Sequence, residues 1–128
     1  MKTVTAAILE KDGKILIARR RDDDRQAGKW EFPGGTVEPD ETPQTCLKRE
    51  MQEEFGISVT VGRVFGENIY QYDHATIRLI ACMVSWESGR MVLNDHADFR
   101  WVLPEQMLEY DFAPADIPFV RKLQGSKK

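Results

Sequence analysis

Apolar and polar positions follow two rhythms along this chain, and each predicts its own kind of element. Residues 3–9 and 14–18 are β-branched and apolar runs of strand length, and Lys11-Asp12-Gly13 between them is a turn signal. The two are predicted to pair as a hairpin. Trp30-Glu31-Phe32 alternates like a short strand and runs into Pro33-Gly34-Gly35, a turn at which the backbone can approach a ligand closely. Residues 57–64, 69–72, 75–86 and 99–103 read as further strands, and short helical segments are predicted at Pro104–Glu109 and over residues 115–123. The longest helix has clear ends. Thr42 suits the N-cap, Pro43 the first helical position and Gly56 the left-handed stop, which predicts a helix over Pro43–Phe55. The mixture implies an α+β sandwich, a mixed sheet covered by helices on its faces.

The predicted helix has an unusual flank. At about 100° per residue, Leu47, Met51 and Phe55 form one apolar stripe that should enter the core. Glu50 and Glu54 form the neighbouring stripe, with Glu53 beside them and Arg49 one step further round. Like charges at this spacing disfavour a helix, and near its C-terminal end they also oppose the macrodipole. A hard divalent cation such as magnesium or manganese, which prefers oxygen ligands, would relieve the conflict.

Composition narrows the remaining choices. The chain has 128 residues, 41% hydrophobic and 30% charged, enough for one domain with its own core. A single domain over 1–124 is expected, with 125–128 as a frayed tail. Eighteen basic against 21 acidic residues give a net charge of −3, too balanced for a surface that coats duplex nucleic acid. A single nucleotide remains possible if a metal neutralises its phosphates. No basic leader with an apolar run and no membrane span is visible, and Cys46 and Cys82 read as reduced core thiols, so a cytoplasmic setting is expected. Residues 19–29 carry Arg19, Arg20, Arg21 and Arg25 with Asp22, Asp23 and Asp24, and read as a solvated, self-neutralising loop.

Read outward from the helix, the chain shows Gly35, five residues, Glu41, seven residues, and then Arg49-Glu50-Met51-Gln52-Glu53-Glu54-Phe55-Gly56-Ile57. This resembles the signature of the Nudix hydrolase family, G-x5-E-x7-R-E-U-x-E-E-x-G-U with U apolar, at all nine fixed positions over 23 residues. The resemblance implies a Nudix-type α/β/α sandwich and hydrolysis of a nucleoside diphosphate linked to another group, with Mg²⁺ as cofactor and Mn²⁺ as a substitute. By the same resemblance Glu50, Glu53 and Glu54 are the metal-ligand candidates, joined by the backbone carbonyl of Gly34. Arg49 would orient a carboxylate, Glu41 would support the loop or reach an outer metal through water, and Glu53 and Asp95 are candidates for activating water. Gly34 and Gly35 would lie against the substrate.

Within the family the whole chain is most similar to the MutT-type nucleoside triphosphate pyrophosphohydrolases and their relatives that act on CTP-like pyrimidines. That similarity assigns Arg20 to phosphate or base contact. It also places Asp116 where the MutT type carries a base-reading asparagine. An ionised aspartate only accepts hydrogen bonds and so suits the 4-amino group of cytosine, which favours CTP, dCTP or 5-methyl-dCTP over 8-oxo-dGTP. A plain reading competes here, with Asp116 as the N-cap of the last helix. Other nucleoside diphosphate derivatives and a noncatalytic nucleotide-binding module are the weaker alternatives, and nothing chooses between monomer and homodimer. Trp30, Tyr70, Tyr72 and Phe112 fit base stacking or core packing equally. His74 and His96 read as substrate contacts or pH-sensitive neighbours or, more plainly, as solvated loop residues, and stay outside the core set.

Overall fold

The computed structural model describes residues 1–22 and 25–125, so Asp23, Asp24 and the tail residues 126–128 lie outside the described residues. Its strands are β1 (Lys2–Lys11), β2 (Lys14–Arg19), β3 (Trp30–Glu31), β4 (Ser58–Gln71), β5 (Thr76–Ser88) and β6 (Asp98–Val102). The helices are α1 (Pro43–Phe55) and α2 (Ile117–Gly125), with 3-10 turns at Pro104–Glu109 and Pro114–Asp116. One mixed sheet runs β3-β2-β1-β5-β4, with β6 on the other side of β2, and β1 pairs parallel with β5 and antiparallel with β2.

Because β1 is central, both of its faces are buried, and its run Thr5-Ala6-Ala7-Ile8-Leu9 is continuously small or apolar instead of alternating. Ala6 and Ile8 join one core with Phe65, Phe119 and Leu123, on the α2 side. Ala7 and Leu9 join the other with Leu47, Met51 and Phe55 of α1. The sheet is therefore sandwiched between the two helices. Cys46 and Cys82 are both free and buried.

Helix α1 has the expected ends. Thr42 accepts from Thr45 N at 3.1 Å and its own N–H donates to Thr45 Oγ1 at 3.0 Å, a capping box in which threonine replaces the usual glutamate, and Gly56 closes the helix at φ 70°. Most strand ends and the start of α2 shift by one or two residues from the sequence reading, and two differences are larger in consequence. Residues 57–64 and 69–72 were expected as separate strands, but β4 is continuous. Register shifts around Val61, Val64 and Gly66 absorb the irregular stretch as bulges while pairing with β5 continues. Gly125, expected in the tail, is the last residue of α2.

Candidate active site

The turn after β3 is built against β1. Thr5 N donates to Gly35 O at 2.8 Å and Ala7 N to Pro33 O at 2.7 Å, which fixes the Pro33-Gly34-Gly35 backbone edge-on to the central strand. Space at both glycines is already taken. A Cβ at Gly34 would fall 2.7 Å from the Thr5 carbonyl carbon, and one at Gly35 would fall 2.5 Å from Glu50 Oε1. Gly35 thus leaves the pocket into which α1 lowers the Glu50 carboxylate.

Arg49 holds that carboxylate from the other side. Its Nη1 donates to Glu50 Oε2 at 2.6 Å, while Nε and Nη2 grip both oxygens of Glu41 at 2.6 and 2.8 Å. This fork is bidentate and charge-assisted. The guanidinium, together with the Glu38 N–H, holds the Glu41 carboxyl down at about 2. With both oxygens engaged, Glu41 is a brace for Arg49 and the loop above it.

Glu54 is a different case, being only 6% exposed, with Oε1 buried and lacking a hydrogen-bond partner. Burial pushes its carboxyl strongly upward, reinforced by a hydrogen bond to Glu50 and by the charges of Glu50, Glu31 and Asp95. A buried, partnerless carboxylate oxygen beside a second acid is a cost that a divalent cation would remove, so Glu50 and Glu54 fit a metal. Glu53 sits differently. Its side chain is 60% exposed and 3.3 Å from Arg49 Nη1, outside the cleft wall that includes Glu50 and Glu54. The three acids of the helix flank therefore do not converge: one step of 100° turns Glu53 toward solvent. Among the described residues no group of three His, Cys, Asp or Glu side chains is already arranged as a metal cage.

From this flank a cleft of about 560 Å³ runs to the C-terminal segment. Its walls include Gly34, Gly35, Glu50, Glu54, Asp95, Arg20 and Asp116. Arg20 Nη1 donates to Glu31 Oε1 at 2.9 Å and Nε to Arg25 O at 2.6 Å, while Arg20 N bonds Lys29 O at 2.8 Å, so the 19–29 loop is tied at its base. Asp95 belongs to a segment laced onto α1, where Asn94 N donates to Glu54 O at 3.1 Å and Val92 N to Phe55 O at 2.9 Å.

Asp116 does not behave as the sequence suggested. It is buried, and Oδ1 accepts from Phe32 N at 3.3 Å, so the carboxyl is turned toward β3 and the cleft instead of capping α2. Burial and the Glu31 charge push it well above the ordinary carboxylate range, against the pull of the Phe32 N–H and Arg20. The shift favours the protonated form, which carries a donor as well as acceptors, so Asp116 is not confined to accepting.

The aromatic alternatives separate in the same way. Phe112 is buried against Phe32 with centroids 5.4 Å apart, and Trp30 meets Tyr110 edge-on at 5.0 Å, so both are packing residues. Tyr72 lines the cleft, with Tyr70 tilted against it at 4.7 Å. His74 is exposed, as expected, and stacks on Tyr72 at 5.7 Å. His96 is not solvated. It is 7% exposed, bonded to Glu31 and stacked on Phe55 at 5.6 Å. Glu31 and His96 escaped the sequence reading because their meeting joins positions 65 residues apart.

The chain is similar to known proteins over most of its length. The NUDIX domain pattern matches residues 1–123. The chain is 44% identical to the CTP pyrophosphohydrolase of Escherichia coli K12, over 94% of this chain and 89% of that protein. It is 31% identical to the 8-oxo-dGTP diphosphatase of the same strain, over 97% and 96%. Among solved structures, the Escherichia coli ORF135 protein superposes with a TM-score of 0.88 at 41% identity, covering 99% of this chain and 91% of that one. The MutT protein of Methanosarcina mazei Go1 gives 0.87 at 27% identity, with 99% and 95% covered.

Proposed function

Because this chain belongs to the NUDIX family of hydrolases, we propose that it hydrolyses nucleoside triphosphates to monophosphate and pyrophosphate, with cytosine nucleotides (CTP, dCTP or 5-methyl-dCTP) as preferred substrates. The observation that carries the reaction is the Glu50 and Glu54 pair, with a partnerless buried oxygen, set in the floor of a cleft long enough for a nucleotide. Glu50 and Glu54, with the Gly34 carbonyl, are the residues that would hold a divalent cation, and Glu53 and Asp95 are second candidates. When bound, Mg²⁺ supplies a Lewis acid for the phosphoryl oxygens and acidifies a nearby water.

The chain's own residues do the rest. Arg49, itself braced by Glu41, holds the Glu50 carboxylate directly, so that carboxylate stands in place before any metal arrives. Arg20 offers positive charge to phosphate or base, and Asp95 stands near Glu54 as a proton acceptor for water.

Cytosine is favoured because the relative with 44% identity is a CTP pyrophosphohydrolase and because Asp116 reaches the other end of the cleft. An approaching 4-amino donor favours the ionised form of this buried acid and compensates its burial. A second reading, 8-oxo-dGTP hydrolysis, is supported by the upward shift of the Asp116 carboxyl, whose protonated form can donate to a purine carbonyl oxygen. A hydrolysis screen across common and modified triphosphates with Mg²⁺, with products identified, tests both readings. Monophosphate plus pyrophosphate with cytosine nucleotides preferred is the expected result. Diphosphate plus orthophosphate would overturn the reaction, and a purine preference would overturn the base.

A further inference from the structure

Glu31 stands where the nucleoside and metal halves of the cleft meet, and two cations or donors restrain it. Arg20 Nη1 donates to Oε1 at 2.9 Å, and His96 Nε2 lies 2.8 Å from Oε2. We assign Nε2 as the donor in this pair, since carboxylate oxygens accept; the other ring nitrogen, Nδ1, is buried and has no hydrogen-bond partner. The imidazole has anchors of its own. It lies flat on Phe55, 12° from parallel, and its loop is anchored by Val92 N to Phe55 O, Asn94 N to Glu54 O and Ala97 N to Arg19 O. His96 is thus anchored by contacts that do not involve Glu31, and its ring offers the Glu31 carboxylate a fixed partner. Its neighbour Phe32, just past the end of β3, donates its N–H to Asp116 Oδ1.

We infer that His96 is a positioning residue for substrate recognition: its Nε2–H fixes Glu31, so that Glu31 and Arg20 present one preset polar edge to the nucleoside half of the substrate. The inference rests on the reading of the cleft as a nucleotide site. It assigns His96 to binding and leaves the metal-dependent chemistry to the α1 flank.

The test compares wild type with His96→Phe and His96→Gln, measuring CMP binding by calorimetry in chelator and then kcat and KM with CTP and Mg²⁺. Phenylalanine preserves the ring on Phe55 but donates no hydrogen bond, whereas the glutamine amide can reach Glu31 as Nε2 does. His96→Phe should bind CMP about tenfold more weakly, with KM raised in proportion and kcat within about threefold. His96→Gln should recover most of the loss. Wild-type affinity in His96→Phe, or no recovery in His96→Gln, would overturn the assignment. Should His96→Phe fold poorly, His96→Asn, whose shorter amide does not reach Glu31, is measured alone and in a Glu31→Ala background: a loss of CMP affinity alone with no further loss in that background supports the linkage, and an equal loss in both backgrounds, or no loss alone, refutes it. Failure of the nucleotide reading looks different, because wild type would then neither bind nor hydrolyse any nucleotide. If wild type prefers another base, the series is read with that base's monophosphate.

Discussion

At the scale of single residues, burial governs the two acids that matter most. Glu54 has an unfolded carboxyl near 4.5 that folding raises strongly, so the metal-free native state holds a proton that the unfolded chain releases. Its contribution to stability is present below about pH 4.5 and is lost as pH rises toward the folded value. Glu54→Gln should therefore raise the metal-free Tm by several degrees at pH 8, with the gain shrinking toward pH 5, while Mg²⁺-dependent turnover falls about a hundredfold or more. A calorimetric pH series together with turnover checks both, and near wild-type activity at saturating magnesium would remove Glu54 from the ligand set. Asp116 is raised as well, so the ratio of kcat/KM for dCTP over 8-oxo-dGTP should climb with pH as the buried acid ionises. Asp116→Asn should flatten that profile and lower the ratio about ten- to a hundredfold, the worth of one hydrogen bond to a charged group. Measurements from pH 6 to 9 on both proteins decide it. A pH-independent wild-type ratio would exclude Asp116 from base recognition.

At the scale of elements, the turn at Gly34 and Gly35 makes two opposed predictions from adjacent residues. Gly35→Ala should displace the Glu50 carboxylate, a side chain that can swing away. It should keep the fold, lose most turnover and show little rise in Tm on adding Mg²⁺. Gly34→Ala meets the Thr5 backbone, which cannot yield, and should destabilise by about 3 kcal/mol. Denaturant unfolding of the two variants separates the cases. Helix α1 was legible end to end because Thr42, Pro43 and Gly56 act locally. β4 was not, since its bulges are decided by pairing with β5, and the segment around Gly66 shows no alternation of its own.

For the whole molecule, the sandwich brings α1, the 33–35 turn and the C-terminal segment to one cleft, and the proposed function needs a divalent cation at the Glu50 and Glu54 pair. Activity should require Mg²⁺ or Mn²⁺, vanish in excess chelator and rise toward alkaline pH as the attacking water loses its proton. Calcium should raise the Tm by binding without supporting turnover, because its looser coordination positions water poorly. Assays in the three metals, with thermal melts alongside, provide the check. Full activity in chelator would end the metal-assisted reading.

The sequence by itself determined the helix and its ends, the hairpin, the apolar stripe of Leu47, Met51 and Phe55, and the spacing that carries the family signature. These depend on caps, turns and periodicity, which act over a few residues. Only the tertiary structure decided which acids of the α1 flank enter the cleft, that Asp116 is buried beside β3, and that His96 meets Glu31. Each of those outcomes depends on how much water a side chain keeps and on which distant residue replaces it. Burial and long-range pairing exist only once the sheet has closed, so residues as close as Glu53 and Glu54 can end with opposite surroundings.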